Sequence, residues 1–91
     1  MKNICGVWVR PGVEMRINEE KIVTKCMDPD AEWWRRTIRH DYILEDHNIE
    51  LYSPTVHDIK HSFKGELRII MITHDRMTLQ SEGGITNWER R

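Results

Sequence analysis

Apolar and polar residues alternate along short segments of this sequence, and this period-two pattern restricts the possible fold more than any other feature. Near the N-terminus, for example, Val13, Met15 and Ile17 alternate with Glu14 and Arg16. Successive side chains of a β-strand point to opposite faces, so the pattern predicts half-buried strands. No stretch longer than about seven residues has the spacing of a helical stripe.

Turn-forming residues separate these segments at short intervals. The sequences RPG, NEE, EDHN, HDR and SEGG predict tight turns, and DPDAE predicts a loop. The run WWRRTIRHDYIL, residues 33–44, is the longest predicted strand because its β-branched and aromatic residues favour a strand over a helix. Residues 54–65 remain open between a strand carrying Ile59 and Phe63 and a short helix after Pro54.

The predicted fold class is all-β, an antiparallel up-and-down meander of eight or nine short strands that forms one domain over residues 1–91. An open meander leaves two unpaired edges, which invite aggregation. Closure into a small barrel removes those edges, and an incompletely closed half-barrel is the alternative. The first and last strands are therefore expected to lie side by side.

Two short motifs at the ends of the chain bear on this closure. Gly6 and Trp8 form a Gly-x-Trp motif in the first strand, and Arg90 or Arg91 ends the last strand. This combination resembles the lipocalin-like, or calycin-type, barrels, and the rhythm of the second half resembles short lipocalin-like domains of bacterial or phage origin. The resemblance implies that Trp8 closes the bottom of the barrel while Arg90 packs across its ring, with Gly6 allowing close strand packing.

The chain departs from that family in size. A ligand-carrying lipocalin is much longer and has a large first loop and a packed helix, whereas this chain has 91 residues. An eight-stranded barrel can be just wide enough for its own side chains. We therefore expect side chains to fill most of the interior.

Charge and hydropathy exclude some classes of function. The chain has 14 Lys and Arg against 15 Asp and Glu, so binding of nucleic acid through bulk positive potential is not expected. No apolar run approaches the roughly 20 residues that span a bilayer, and no membrane association is expected. The N-terminal segment is too short for a signal-peptide core, which predicts a cytoplasmic protein unless a leader precedes it.

The sequence contains no recognisable catalytic motif. It has no Gly-x-Ser-x-Gly elbow, and Cys5 and Cys26 are interpreted as small buried hydrophobic residues. His57 and His61 have a spacing that could place two metal ligands on one face, but a zinc site needs a third converging ligand. We therefore expect a non-enzymatic protein with no cofactor and no metal, although the His57 and His61 pair stays open.

The sequence WWRR, residues 33–36, is the strongest functional candidate. Alternation sends Trp33 and Arg35 to one face, and Trp and Arg together are enriched where proteins bind partners. The opposite face carries a second set, which would line the interior or its mouth and contact a ligand: Trp34, Arg36, His40 and Tyr42.

Two functional hypotheses follow. The first is a barrel that binds a small apolar ligand in its interior or mouth, with Arg36 and His40 anchoring it. The second is a protein–protein interaction module or small inhibitor that presents Trp33 and Arg35 to its partner. A homodimer formed through edge strands is a further possibility.

Overall fold

The computed structural model describes residues 3–27, 37–53 and 63–91. Trp33, Trp34, Arg35, Arg36, His57 and His61 lie outside these residues. The described residues form eight strands: β1 (Gly6–Arg10), β2 (Val13–Ile17), β3 (Lys21–Cys26), β4 (Thr37–Glu45), β5 (Asn48–Tyr52), β6 (Phe63–Ile72), β7 (Arg76–Ser81) and β8 (Gly84–Arg90).

Each strand pairs antiparallel with the next one in the chain, and β8 returns to β1 to close a barrel. The predicted all-β meander is therefore confirmed, with eight strands in the described part of the chain. Because the strands run up and down, the chain termini and the β2–β3, β4–β5 and β6–β7 turns share one end, here called the Arg90 end. The β1–β2 and β7–β8 turns lie at the far end.

The core consists of side chains that alternate inward along these strands. On β2, Met15 and Ile17 are buried while Arg16 between them is exposed, as the alternation predicts. The buried apolar residues are Ile4, Trp8, Met15, Ile17, Ile22, Ile49, Ile69, Met77, Leu79 and Trp88. Two tryptophans thus occupy much of the barrel interior, since each ring can bury roughly 200 Å².

Glu14 is the one buried charged residue in the described part of the chain, although the strand pattern turns it outward. Its Oε1 accepts a hydrogen bond from Arg16 Nε at 2.6 Å, and its Oε2 accepts one from Arg91 Nη1 at 2.8 Å. The hydrogen bond from Arg16 and the charges of both arginines hold the pKa of Glu14 below its usual value, against the opposing effect of burial. Two arginine side chains therefore cover this carboxylate and keep it ionised.

The strand pairs differ in length, and the shortest one closes the barrel. β7 and β8 pair at six positions, whereas β8 and β1 pair at only two, Trp8 with Arg90 and Val9 with Glu89. Backbone hydrogen bonding is therefore weakest at the β8–β1 seam. Side-chain contacts must supply much of what holds the first strand to the last.

Candidate binding site

The side chain of Arg90 joins three separate parts of the chain at the Arg90 end. Its guanidinium carbon lies 4.2 Å from the centroid of the Trp8 ring, a cation–π contact. Its Nε donates to the carbonyl of His74 at 2.7 Å, Nη1 to that of Cys5 at 2.6 Å, and Nη2 to that of Asn3 at 3.0 Å. We call this arrangement the Arg90 clasp, and it compensates for the short backbone pairing at the seam.

Gly6 provides the space that the clasp needs. A Cβ atom at this position would lie 2.6 Å from Arg90 Nη1, and the φ angle of +140° is one that residues with a side chain rarely adopt. Trp8 is fully buried, and its Nε1 donates to the carbonyl of Ile4 at 2.8 Å. The structure therefore brings Gly6, Trp8 and Arg90 together, whereas Arg91 turns to Glu14.

Tyr42 lies on the inward face of β4 but is committed to the fold. It packs against the core, and its hydroxyl donates to the carbonyl of Asn18 at 2.6 Å. Burial, with a smaller contribution from Cys5, raises the pKa of Tyr42 to about 12. The hydroxyl proton is therefore used in a hydrogen bond to the β2–β3 turn, so Tyr42 joins β4 to that turn.

His40 lies on the same face of β4, nearer the far end. It is opposite the buried residue Ile22 in the β3–β4 register and is itself half-buried. Burial lowers the pKa of His40, and the positive charge of Lys64 on β6 lowers it further. The imidazole is therefore uncharged at neutral pH, and it belongs to the region of the barrel that also contains the start of β6.

A groove of about 740 Å³ opens beside that part of β6. Strand β6 pairs with β7 only from Arg68 onward, so residues 63–67 have no strand partner on that side in the described part of the chain. The groove, here called the mouth groove, lies between this stretch and residues 80–83, which form the end of β7 and the β7–β8 turn. Its cause is the length of β6, which extends past the shorter hairpin beside it.

The mouth groove combines an apolar floor with a charged rim. Leu51 and Leu67 line it and pack against the core, and Phe63 lines it with 59% of its surface exposed. Lys64 and Glu66 are among the charged residues at its rim. A Cβ atom on Gly65 would meet nothing within 4 Å, so the groove has free space directly above the strand.

Sequence reasoning missed this groove, and His40, which the alternation predicts to line the interior or its mouth, is not among the residues that line the groove. The signal was present in FKGEL, residues 63–67, where a glycine interrupts a strand with both charges and apolar residues. The prediction left residues 54–65 undecided, so the start of β6 at Phe63 was not expected.

The described residues offer little for other kinds of site. Within residues 3–27, 37–53 and 63–91, no three His, Cys, Asp or Glu side chains are placed to hold a metal ion. Cys5 and Cys26 are free thiols, and both are half-buried rather than fully buried as expected. In the same part of the chain, no helix has the length and apolar character to cross a membrane.

No family model, no curated protein and no solved structure matches this chain. The fold alone therefore defines its class, a closed antiparallel barrel of eight strands. That architecture is compatible with a small lipocalin-like barrel.

Proposed function

We propose that this chain is a non-enzymatic binding protein, a small lipocalin-like barrel that binds a small apolar ligand at the mouth groove. The observation that carries the proposal is the groove itself, whose volume of about 740 Å³ lies above an apolar floor. Small-molecule sites usually measure roughly 300–1,000 Å³ and combine apolar walls with a few polar groups. A relationship to the lipocalin-like domains of bacteria or phages is part of the proposal, supported by the Arg90 clasp.

Four lining residues have a definite role in this proposal. Leu51, Leu67 and Phe63 supply apolar contact, and Lys64 supplies a polar group at one side. His40 does not line the groove, but the charge of Lys64 helps to lower its pKa. Binding would cover Phe63, whose exposure is costly in water. The non-enzymatic role rests on the sequence, which has no nucleophile motif.

The neutral dye Nile red tests the proposal, because its fluorescence rises on transfer to an apolar site. We expect saturable binding that weakens roughly fivefold in Phe63→Ser, the effect of losing most of one aromatic contact. Ile43→Ser is the matched control, since Ile43 is 53% exposed against 59% for Phe63 but does not line the groove. Absence of binding, or equal weakening in both variants, would contradict the proposal.

A second candidate function is a protein-interaction module, favoured by the exposed apolar residues outside the groove. Ile70 is 49% exposed, Met71 42% and Ile85 62%. Ile70 and Met71 are also adjacent in the chain, and exposed apolar side chains that form a contiguous patch are typical of surfaces that bind another polypeptide. A second copy of this chain is one such partner, and sedimentation velocity over a range of concentrations would detect it.

A further inference from the structure

Strand β8 has an edge that is only partly covered. Glu89 and Arg90 pair with β1, but in the described part of the chain residues 84–87 pair only with β7. Gly84, Ile85 and Asn87 are exposed, and Thr86 is half-buried. Within the described part of the chain, no strand pairs with the backbone N–H and C=O groups on this side, and an unpaired edge of this kind is where strand addition begins.

This edge lacks the usual protection against such pairing. Exposed edges normally carry charges, a proline or a bulge. Residues 84–88, Gly-Ile-Thr-Asn-Trp, contain no charge and no proline, and the β7–β8 register has no shift. The open stretch of β6 at residues 63–67 contrasts with it, because that stretch carries Lys64 and Glu66 and lies beside a register shift.

A second groove, of about 510 Å³, adjoins the end of this edge. We call it the seam groove, and it crosses the outer face from β1 to β6. Val9 is opposite Glu89, and Asn87 is opposite Thr78, which is opposite Met71. Val9, Thr78 and Asn87 each adjoin a buried residue, namely Trp8, Met77 and Trp88, so their side chains face outward. An extended segment leaving the β8 edge would meet this groove.

The charges around the seam groove favour an acidic occupant. Arg10 and Arg76 both line it, and no ion pair joins either of them to a carboxylate in the described part of the chain. The guanidinium carbon of Arg10 lies 5.7 Å from the centroid of the Trp88 ring, beside the last residues of the open edge. Glu89 is the only acidic residue among those that the structure places in the groove, so cations outnumber anions there.

We propose that residues 84–87 of β8 pair with an extended, acidic segment of a partner protein, whose carboxylates meet Arg10 and Arg76 at the seam groove. The main chain of β8 would supply affinity, and the two arginines would select the charge. This inference names a surface and a partner chemistry for the protein-interaction function, on which it rests. It is independent of ligand binding at the mouth groove.

Synthetic peptides test both parts of the inference. The probe is a capped octapeptide of alternating valine and glutamate, compared by calorimetry with a valine–lysine octapeptide and with the acidic peptide N-methylated at alternate residues. We expect the acidic peptide to bind, the lysine peptide to bind at least about tenfold more weakly, and the N-methylated peptide not to bind. Equal binding of the N-methylated peptide would overturn strand pairing, and equal binding of the lysine peptide would overturn charge selection.

Variants locate the site. Arg10→Gln with Arg76→Gln should weaken the acidic peptide about tenfold at low salt. Lys25→Gln with Arg39→Gln is the control, since it removes the same charge from exposed positions on β3 and β4 that do not line the groove. Equal weakening in both double variants would mean that only net charge matters, and would overturn the inference.

Two further readouts separate this inference from the alternatives. Nile red should still bind to the double variant Arg10→Gln with Arg76→Gln, because neither arginine lines the mouth groove. A failure of Nile red to bind the unchanged protein would contradict only the ligand proposal. Failure of the acidic peptide to bind at millimolar concentration would overturn the inference while leaving the ligand proposal intact. The chain could instead form a dimer through the β8 edge, which Ile85→Lys would make monomeric. If the acidic peptide does not dissociate such a dimer, a second copy of the chain occupies the edge, and the inference is overturned.

Discussion

Replacing Arg90 by methionine tests whether a side chain, rather than backbone pairing, closes this barrel. Methionine keeps most of the aliphatic volume but removes the charge and all five donors. In the protein, Arg90 makes three hydrogen bonds to backbone carbonyls and one cation–π contact with Trp8. The substitution therefore leaves three backbone carbonyls without the Arg90 donors and removes the guanidinium charge that lies over the Trp8 ring.

The size of the effect follows from these four contacts. Because Arg90 is only half-buried, we take about 1 kcal/mol for each hydrogen bond, below the range for fully buried charged pairs. The cation–π contact adds about 1 kcal/mol, for a total loss of about 4 kcal/mol. A chain of this length is stable by roughly 5–14 kcal/mol, so Arg90→Met would lose a large share of its stability.

Urea unfolding followed by tryptophan fluorescence measures this loss. With a slope of about 1–3 kcal/mol per molar urea, the loss of about 4 kcal/mol should lower the midpoint by about 1.3–4 M. Arg91→Met is the control, because its side chain is 60% exposed and makes one ion pair with Glu14. A loss in Arg90→Met no larger than that in Arg91→Met would refute the argument that the clasp closes the seam.

Three more predictions concern stability and its dependence on pH. Gly6→Ala should cost at least about 1 kcal/mol more than Gly65→Ala in the same urea assay, because φ is +140° and +141° at the two sites but only the first alanine would displace the clasped Arg90; equal costs would show that the contact is unimportant. The pKa of Tyr42, about 12, lies above its ordinary value of 10, so its contribution to stability is complete below pH 10 and is lost between pH 10 and 12. In Tyr42→Phe, the free energy of unfolding should therefore fall less steeply above pH 10, and it should be about 1 kcal/mol lower at pH 7. An unchanged dependence on pH above 10 would contradict this prediction. The lowered pKa of Glu14 stabilises the fold above pH 4.5 and does so less as the pH falls through its folded value, so Glu14→Gln should flatten the acid limb of a circular-dichroism titration.

The candidate sites were only partly predictable. The pattern placed His40 and Tyr42 on one inward face, and that placement agrees with the β4 register. Their surroundings separate them, because Tyr42 bonds to the β2–β3 turn whereas His40 lies near Lys64. The hydrogen-bond partners of an inward side chain come from neighbouring strands and turns. The alternation within one strand carries no information about those neighbours.

Exposure at strand ends was also beyond the pattern. Ile38 and Leu44 share the inward parity of β4, yet they are 48% and 36% exposed. β4 pairs with β3 over residues 37–41 and with β5 over residues 41–45, so each half extends past one neighbour. Among the residues that the structure describes, the same stagger leaves residues 63–67 of β6 and residues 84–87 of β8 unpaired on one side, with the two grooves beside them.

The sequence by itself determined the antiparallel meander and most of its strands, because side-chain alternation and turn residues act over a few neighbouring positions, but it left the start of β6 open. It also indicated closure, since a meander of this length would otherwise leave two long edges. Only the tertiary structure decided the register at the seam, which brings Arg90 to within a hydrogen bond of Cys5, 85 residues away in the chain. The relative shift of distant strands depends on the packing of the whole core, and that shift determines which edges, grooves and charges remain available for binding.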